Sequence, residues 1–252
     1  MLEPCYIPPH LRSRLIPFTG VALFVVLWHV GVAMGRGTLV PGPLEVARAI
    51  GELAAHGLLF RYLIASLFRV TWGYLLALVI GVPLGIVLGL RRRGEEALNP
   101  LLQVLRPISP LAWIPIAILW FGVGDVSAIF LIFLASLLPL TLAAMHAVHN
   151  IDPVHLSAAR NFGLRGARLL RTVIVPAILP QLVVAMRITL GIAWLVVVAA
   201  EMIAVNSGLG FLIIDARNAG NRYDLVVAGM VMIGATGVAL DLVMRRLEGW
   251  IR

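Results

Sequence analysis

Six long apolar runs, at roughly 16–34, 63–90, 98–121, 126–145, 178–205 and 225–244, leave this chain few ways to fold. Crossing a hydrocarbon layer of ~30 Å as a helix takes about 20 apolar residues. Lipid offers the backbone no hydrogen bonds, so only helices and closed barrels span it, and these runs are far longer than barrel strands. The expectation is an all-α, polytopic membrane protein with six transmembrane helices. Composition points the same way: only 13% of the residues are charged, against about 25% in soluble domains. Six spans take up most of these 252 residues, so no appended soluble enzyme domain is expected among them.

The charges exclude several chemistries. All twenty basic residues are arginine. A P-loop needs a lysine on the phosphates and a Schiff-base enzyme needs a lysine amine, so neither activity resides in this chain. The single cysteine, Cys5, rules out a disulfide framework and CxxC chemistry. A sequence pI of about 11.1 reads as arginine-rich loops facing anionic lipid rather than as nucleic-acid binding.

With the N-terminus inside, thirteen arginines fall on inside segments and five on outside ones (Arg36, Arg48, Arg61, Arg217 and Arg222). The positive-inside rule therefore places both termini in the cytoplasm. The opening stretch MLEPCYIPPHLRSRLIPFTG is broken by prolines and carries no small-residue cleavage site, so the first span is expected to stay as an anchor. Residues 1–15 then form a cytoplasmic segment, and 16–252 the transmembrane domain.

Two spans carry unusual residues. The third holds Pro100, Pro107, Pro110 and Pro115, too many for one regular helix, so its true span is expected nearer 111–121. In the second, Gly81, Gly85 and Gly89 recur every fourth residue. They read either as a face for close helix approach or as the ordinary abundance of glycine in membrane helices. Between the first two spans, Leu44, Ala47, Ile50, Leu53 and Ala54 fall on one helical face and Glu45, Arg48 and Glu52 on another, as in a helix lying at the outer interface.

The most informative stretch joins the fourth and fifth spans and reads SAARNFGLRGARLLRTVIVPAILP from Ser157 to Pro180. Asp152 and Pro153 start a helix, since aspartate caps free amides and proline suits the first helical position. Gly163 stops it. A second short helix over 166–174 is expected to end where Pro176 and Pro180 break the chain and start span five. The product is a basic helix-turn-helix standing off the membrane, thin enough at Ala158, Ala159 and Gly163 to enter a groove on another protein.

That stretch resembles the EAA loop of ABC importer permeases, with Ala158, Ala159, Gly163 and Pro176 in the family's spacing. RPISPLAWIPIAILWFGVG (106–124), RITLGIAWLVVVAAEMI (187–203) and NSGLGFL (206–212) are similar to the nitrate, sulfonate, taurine and bicarbonate permeases. The likeness covers roughly 39–248. It implies the fold of a type I ABC importer permease (MetI-like) in a bacterial inner membrane. It also implies a second permease subunit, taken as an identical copy, two ABC ATPase subunits that bind ATP and Mg, and an external substrate-binding protein. The loop, at about 146–177, would hold the coupling helix. Ala158, Ala159 and Gly163 would shape it, Leu164 and Arg165 would lie at its end, and Pro176 would fix the turn into span five. Ser157 stands where the family often has glutamate, so a salt bridge from that position is lost.

Arg69, Arg187 and Glu201 fall well inside predicted spans, with Asp241 near the end of the last. Each costs about 2.5–3.5 kcal/mol at mid-bilayer on insertion scales, so pairing is the default. Arg69 and Glu201 match in depth and are expected to pair, with Arg187 deeper, near the pathway or a carbonyl cluster. Two arginines against one carboxylate suit an anionic cargo. His146, His149 and His155 straddle a helix end and do not form a metal site, and Trp113, Trp120, Trp194 and Trp250 read as interface or packing residues. The expected function is translocation of a small anion by alternating access. A stand-alone secondary transporter would want more carboxylates within its spans, and a membrane enzyme would want clustered catalytic groups.

Overall fold

The computed structural model describes residues 9–35, 40–91, 96, 100–101, 103–220 and 222–251. Cys5, Arg36, Arg92, Arg93 and Arg252 lie outside the described residues, as does most of the predicted N-terminal segment. All regular structure described is helical. In chain order it comprises α1 (Pro9–Met34), α2 (Pro43–Ala55), α3 (Leu58–Leu90), a 3₁₀ turn (Pro110–Trp113) running into α4 (Ile114–Phe121), and α5 (Asp125–His149). There follow α6 (Pro153–Asn161), α7 (Gly166–Ala204), α8 (Leu209–Asn218) and α9 (Tyr223–Ile251).

Among the described residues, α3, α5, α7 and α9 are long and apolar enough to cross a membrane, with mean hydropathies of 2.0 to 2.4. Two shorter apolar helices, Thr19–Met34 and Pro110–Phe121, occupy the places of the first and third predicted spans. The third is not one helix. Helical backbone reaches Leu105, turns through 106–109 and restarts at Pro110, where Ser109 Oγ accepts from the Leu111 amide at 3.3 Å. Pro107 and Pro110 lack the amide a continuing helix needs. The restarted helix is 12 residues long, about 18 Å at 1.5 Å per residue, short of a ~30 Å core.

The core is built on α3 against α5, and the glycine stripe sets their closeness. A Cβ at Gly73 would lie 2.7 Å from Ile132 Cβ, one at Gly81 3.1 Å from the Leu137 carbonyl oxygen, and one at Gly89 2.8 Å from Val148 Cβ. At Gly85 it would collide with the Thr141 carbonyl. Of the two readings of these glycines, close helix approach is the one the packing realises. Tyr74 Oη adds a cross-link to α7, donating to the Met186 carbonyl at 2.7 Å. Trp194 packs on Gly237 and donates to the Ile233 carbonyl at 3.0 Å, joining α7 to α9.

The face of α2 differs from expectation. Val46, Ala49 and Leu53 are buried against Leu59, Leu212 and Ala228, while Leu44 is 61% exposed. Leu53, Ile50 and Ala54 of the expected apolar face do pack here, while Leu44 and Ala47 stay exposed, because α3, α8 and α9 receive a face rotated toward Val46 and Ala49. Arg222 fastens this helix, bonding Glu52 of α2 at 3.0 Å and Asp224 at 2.8 Å.

Candidate functional site

The loop between α5 and α7 is assembled by local chemistry. Asp152 accepts from the Val154 amide at 2.8 Å, and Pro153 occupies the first turn of α6. At the other end Gly163 adopts φ +79°, the left-handed conformation that side-chained residues avoid. Its amide bonds the Arg160 carbonyl at 3.0 Å and the Leu164 amide bonds that of Ala159 at 3.0 Å, closing a Schellman cap.

One face of α6 belongs to the protein itself. Ala159 is buried, and half-buried Leu156 packs against a small core of Ala147, Val148, Ile151, Ile174 and Ile178. The opposite face is apolar and open: Val154 is 69% exposed, Ala158 is exposed, and Phe162 is 87% exposed. These three are four residues apart, so they form one stripe along the helix. The two neighbouring alanines therefore have different tasks, Ala158 facing outward and Ala159 anchoring the helix. Leu164 is half-buried, and Arg160, Arg165, Arg168 and Arg171 are exposed around the stripe. Val154 and Phe162 were missed in the sequence reading, although their spacing from Ala158 was the available signal.

No turn occurs at Pro176. Gly166 opens a helix that continues to Ala204, with a π-helical turn at Leu170–Ile174 just before Pro176. Proline cannot donate to the residue four before it, here Thr172, and its ring crowds that carbonyl. The wider π turn takes up both defects, so the predicted break becomes a register change inside a rod. That rod has 39 residues, about 58 Å at 1.5 Å per residue, and carries Arg187 and Glu201 on its shaft.

Near the far end of the rod, Arg69 and Glu201 meet as their depths suggested. Arg69 Nη1 lies 2.6 Å from Glu201 Oε1, and the two side chains are 1% and 0% exposed. Their setting was not anticipated. Arg69 also binds Asp125 at 2.7 Å, donates to the Ser207 carbonyl at 2.8 Å and bonds the Ser207 hydroxyl. The second carboxylate oxygen of Glu201 accepts from Ser66 Oγ at 2.9 Å and the Gly210 amide at 3.0 Å, and the Leu209 amide donates to Ser66 Oγ at 2.9 Å. Gly208, at φ +104°, is so close that a Cβ would strike the Glu201 carboxylate. The NSGLGFL segment is thus a collar around a buried carboxylate, and the cluster ties α3, α5, α7 and α8 together at one end.

Arg187 has different company from that expected. It binds Asp241 at 2.5 Å and Glu248 at 3.4 Å, and Arg245 reaches the same Asp241 at 2.9 Å. A carboxylate-bearing α9, rather than a carbonyl cluster, satisfies it. Each intramembrane arginine faces two carboxylates, so the apparent surplus of positive charge within the spans disappears as an argument for an anionic cargo. Among the described residues no group of three metal-ligating side chains converges.

Residues 81–252 match the family described as binding-protein-dependent transport system inner membrane component. The chain belongs to this family. Over 253 residues the permease is 35% identical to the bicarbonate transport system permease protein CmpB of Synechococcus elongatus, covering 96% of this chain and 90% of that one. It is 34% identical to the taurine transport system permease protein TauC of Escherichia coli, over 91% of this chain and 86% of the relative. The solved methionine ABC transporter MetNI, in an inward facing conformation, shares its fold with a TM-score of 0.69 at 20% identity, over 79% of this chain and 98% of that one. The permease is accordingly a membrane transport component of the ABC type and not an enzyme, and a stand-alone secondary transporter is not what its family is.

Proposed function

We propose that the permease imports a small anion of the sulfonate, taurine, nitrate or bicarbonate class by alternating access, driven by two separate ATPase subunits and fed by an external binding protein. Two copies form the pore in a bacterial inner membrane, with both termini and the 146–177 loop in the cytoplasm. The observation that carries this reading is the capped helix α6, whose stripe of Val154, Ala158 and Phe162 is exposed, with no cover among the described residues. An apolar ridge rimmed by arginines suits a cleft with acidic edges on an ATPase. Gly163, Leu164 and Arg165 would hold the end of that helix, and Ala159 its base.

The rod α7 supports the mechanism. A load applied to α6 passes at Gly166 into a helix whose other end holds Glu201 in the Arg69 cluster, so closure of the ATPases would act on the external end through one element. Pro176 contributes the π turn, a place where the rod can change register. The test is reconstitution with the ATPase and binding protein in proteoliposomes. Phe162→Ala, which removes surface rather than core, is expected to weaken ATPase association about ten-fold or more and to abolish uptake. Unchanged assembly and uptake for Phe162→Ala and for the bulkier Gly163→Trp would end the docking assignment.

A further inference from the structure

The two ion clusters along the rod α7 are packed differently. Around Glu201 the fit is tight: Arg69 is 1% exposed and Gly208 presses on the carboxylate. Arg187, 28% exposed, stands beside a gap of about 60 Å³ between α7 and α9, lined by Gly191 and Trp194 on one side and Gly237 and Asp241 on the other. A Cβ at Gly191 would meet nothing within 4 Å, whereas one at Gly85 of α3 would collide with α5. On α9, Asp241, Arg245 and Glu248 follow one another at intervals of four and three residues, so they share one face. Arg187 lies between the two carboxylates. Its Nε and Nη2 donate to Asp241 at 2.5 and 3.3 Å, and its Nη1 reaches Glu248 at 3.4 Å. Asp241 also accepts from Arg245 Nε at 2.9 Å.

We propose that Arg187 is a two-position latch between α7 and α9, closed on Asp241 in this structure and able to close on Glu248 instead. Reaching Glu248 and leaving Asp241 takes a slide of about 1–2 Å, the scale of helix shifts at packed interfaces, and the gap beside Gly191 gives room for it. Arg245 makes the second position stable. It already bonds Asp241, so that carboxylate keeps a cation when Arg187 departs. The π turn at Leu170–Ile174 lies on the same rod between α6 and Arg187, so a change of register there carries Arg187 along α9. The inference rests on the importer reading only for the source of the load: nucleotide-driven closure of the ATPases on α6 moves Arg187 from Asp241 to Glu248.

The test measures spin-label distances in the full-length permease in lipid nanodiscs. The single cysteine is removed by Cys5→Ser, and labels are placed through Leu195→Cys on α7 and Leu247→Cys on α9, both exposed positions. Labelled chains are diluted with unlabelled ones so that pairs within one chain dominate. Asp241→Asn leaves Arg187 with Glu248, and Glu248→Gln leaves it with Asp241, so the two variants are expected to move the distance distribution to opposite sides of the wild type, with populations changing about two- to five-fold. Arg245→Gln should behave as Glu248→Gln does, because Arg187 must then stay with Asp241. A fixed structural pair gives a different result: Asp241→Asn and Glu248→Gln shift the distribution the same way or leave it alone, and Arg245→Gln is silent. Either of those findings overturns the latch. In a complex with the ATPase that hydrolyses ATP, nucleotide is expected to move the wild type toward the Asp241→Asn distribution, and no movement, or movement toward Glu248→Gln, overturns it as well. The nanodisc arm contains no ATPase, so it decides the latch even if the complex fails to assemble, a failure that would count against the docking assignment alone.

Discussion

Replacing Arg69 by methionine removes the one cation that, among the described residues, contacts the buried Glu201 carboxylate. Methionine keeps much of the volume, so the cavity contribution is small, and the loss is electrostatic. Glu201, 0% exposed, would retain Ser66 Oγ and the Gly210 amide as partners but no counter-charge, while Asp125, 54% exposed, can be hydrated. Breaking a buried pair on one side costs about 3–5 kcal/mol. At 2–4 °C per kcal/mol for a chain of this size, the melting temperature in detergent should fall by roughly 6–20 °C. Adding Glu201→Gln removes the stranded charge while an amide oxygen still accepts from Ser66 and Gly210, so the double variant should recover most of the loss. The assay is a double-mutant cycle on thermal unfolding of Arg69→Met, Glu201→Gln and the pair. Additive losses, or a single-variant drop below about 1 kcal/mol, would refute the reasoning that Arg69 and Glu201 neutralise one another in a dry site.

Three further outcomes are expected. Gly85→Leu should separate α3 from α5, because the side chain would enter the Thr141 carbonyl and Ala144; loss of folded yield checks it, with Gly234→Leu, which has open space, as the tolerated control. Asp152→Ala should cost about 1 kcal/mol by uncapping α6, read as faster amide exchange at Val154 with the bundle unaffected, and Asp152→Asn should restore protection. Trp194→Phe loses the indole bond to the Ile233 carbonyl, which keeps its own helical amide donor, so the loss is that of one hydrogen bond, about 0.5–1.5 kcal/mol, measurable as a lowered melting temperature.

The helices and the caps of α6 were legible from the chain because both are local. Hydropathy over twenty residues needs no partner to declare a span, and Asp152, Pro153 and Gly163 act on amides and carbonyls within a few positions of themselves. Depth is nearly as local, since it counts residues along a helix, and it brought Arg69 and Glu201 to one level. What the sequence could not fix was rotation about each helix axis and the identity of whatever lies opposite. That is why Arg187 was assigned no carboxylate, and why the apolar face read for α2 included Leu44 and Ala47, which the fold leaves exposed, and omitted Val46 and Ala49, which it buries. The same limit hid the Ser66 and Ser207 contacts, the collar at Gly208 and the gap beside Arg187.

Pro176 marks the boundary most clearly. Its missing amide is a property of the residue and was certain in advance, and a break was one legitimate answer to it. A π turn within an unbroken rod is the other, and it is favoured where Ile174 and Ile178 are already held against Ala147, Val148 and Ile151. Local covalent structure determined that something had to give at that position. Packing against neighbouring helices decided what gave, because only the assembled bundle supplies the energy that keeps the helix continuous through the π turn.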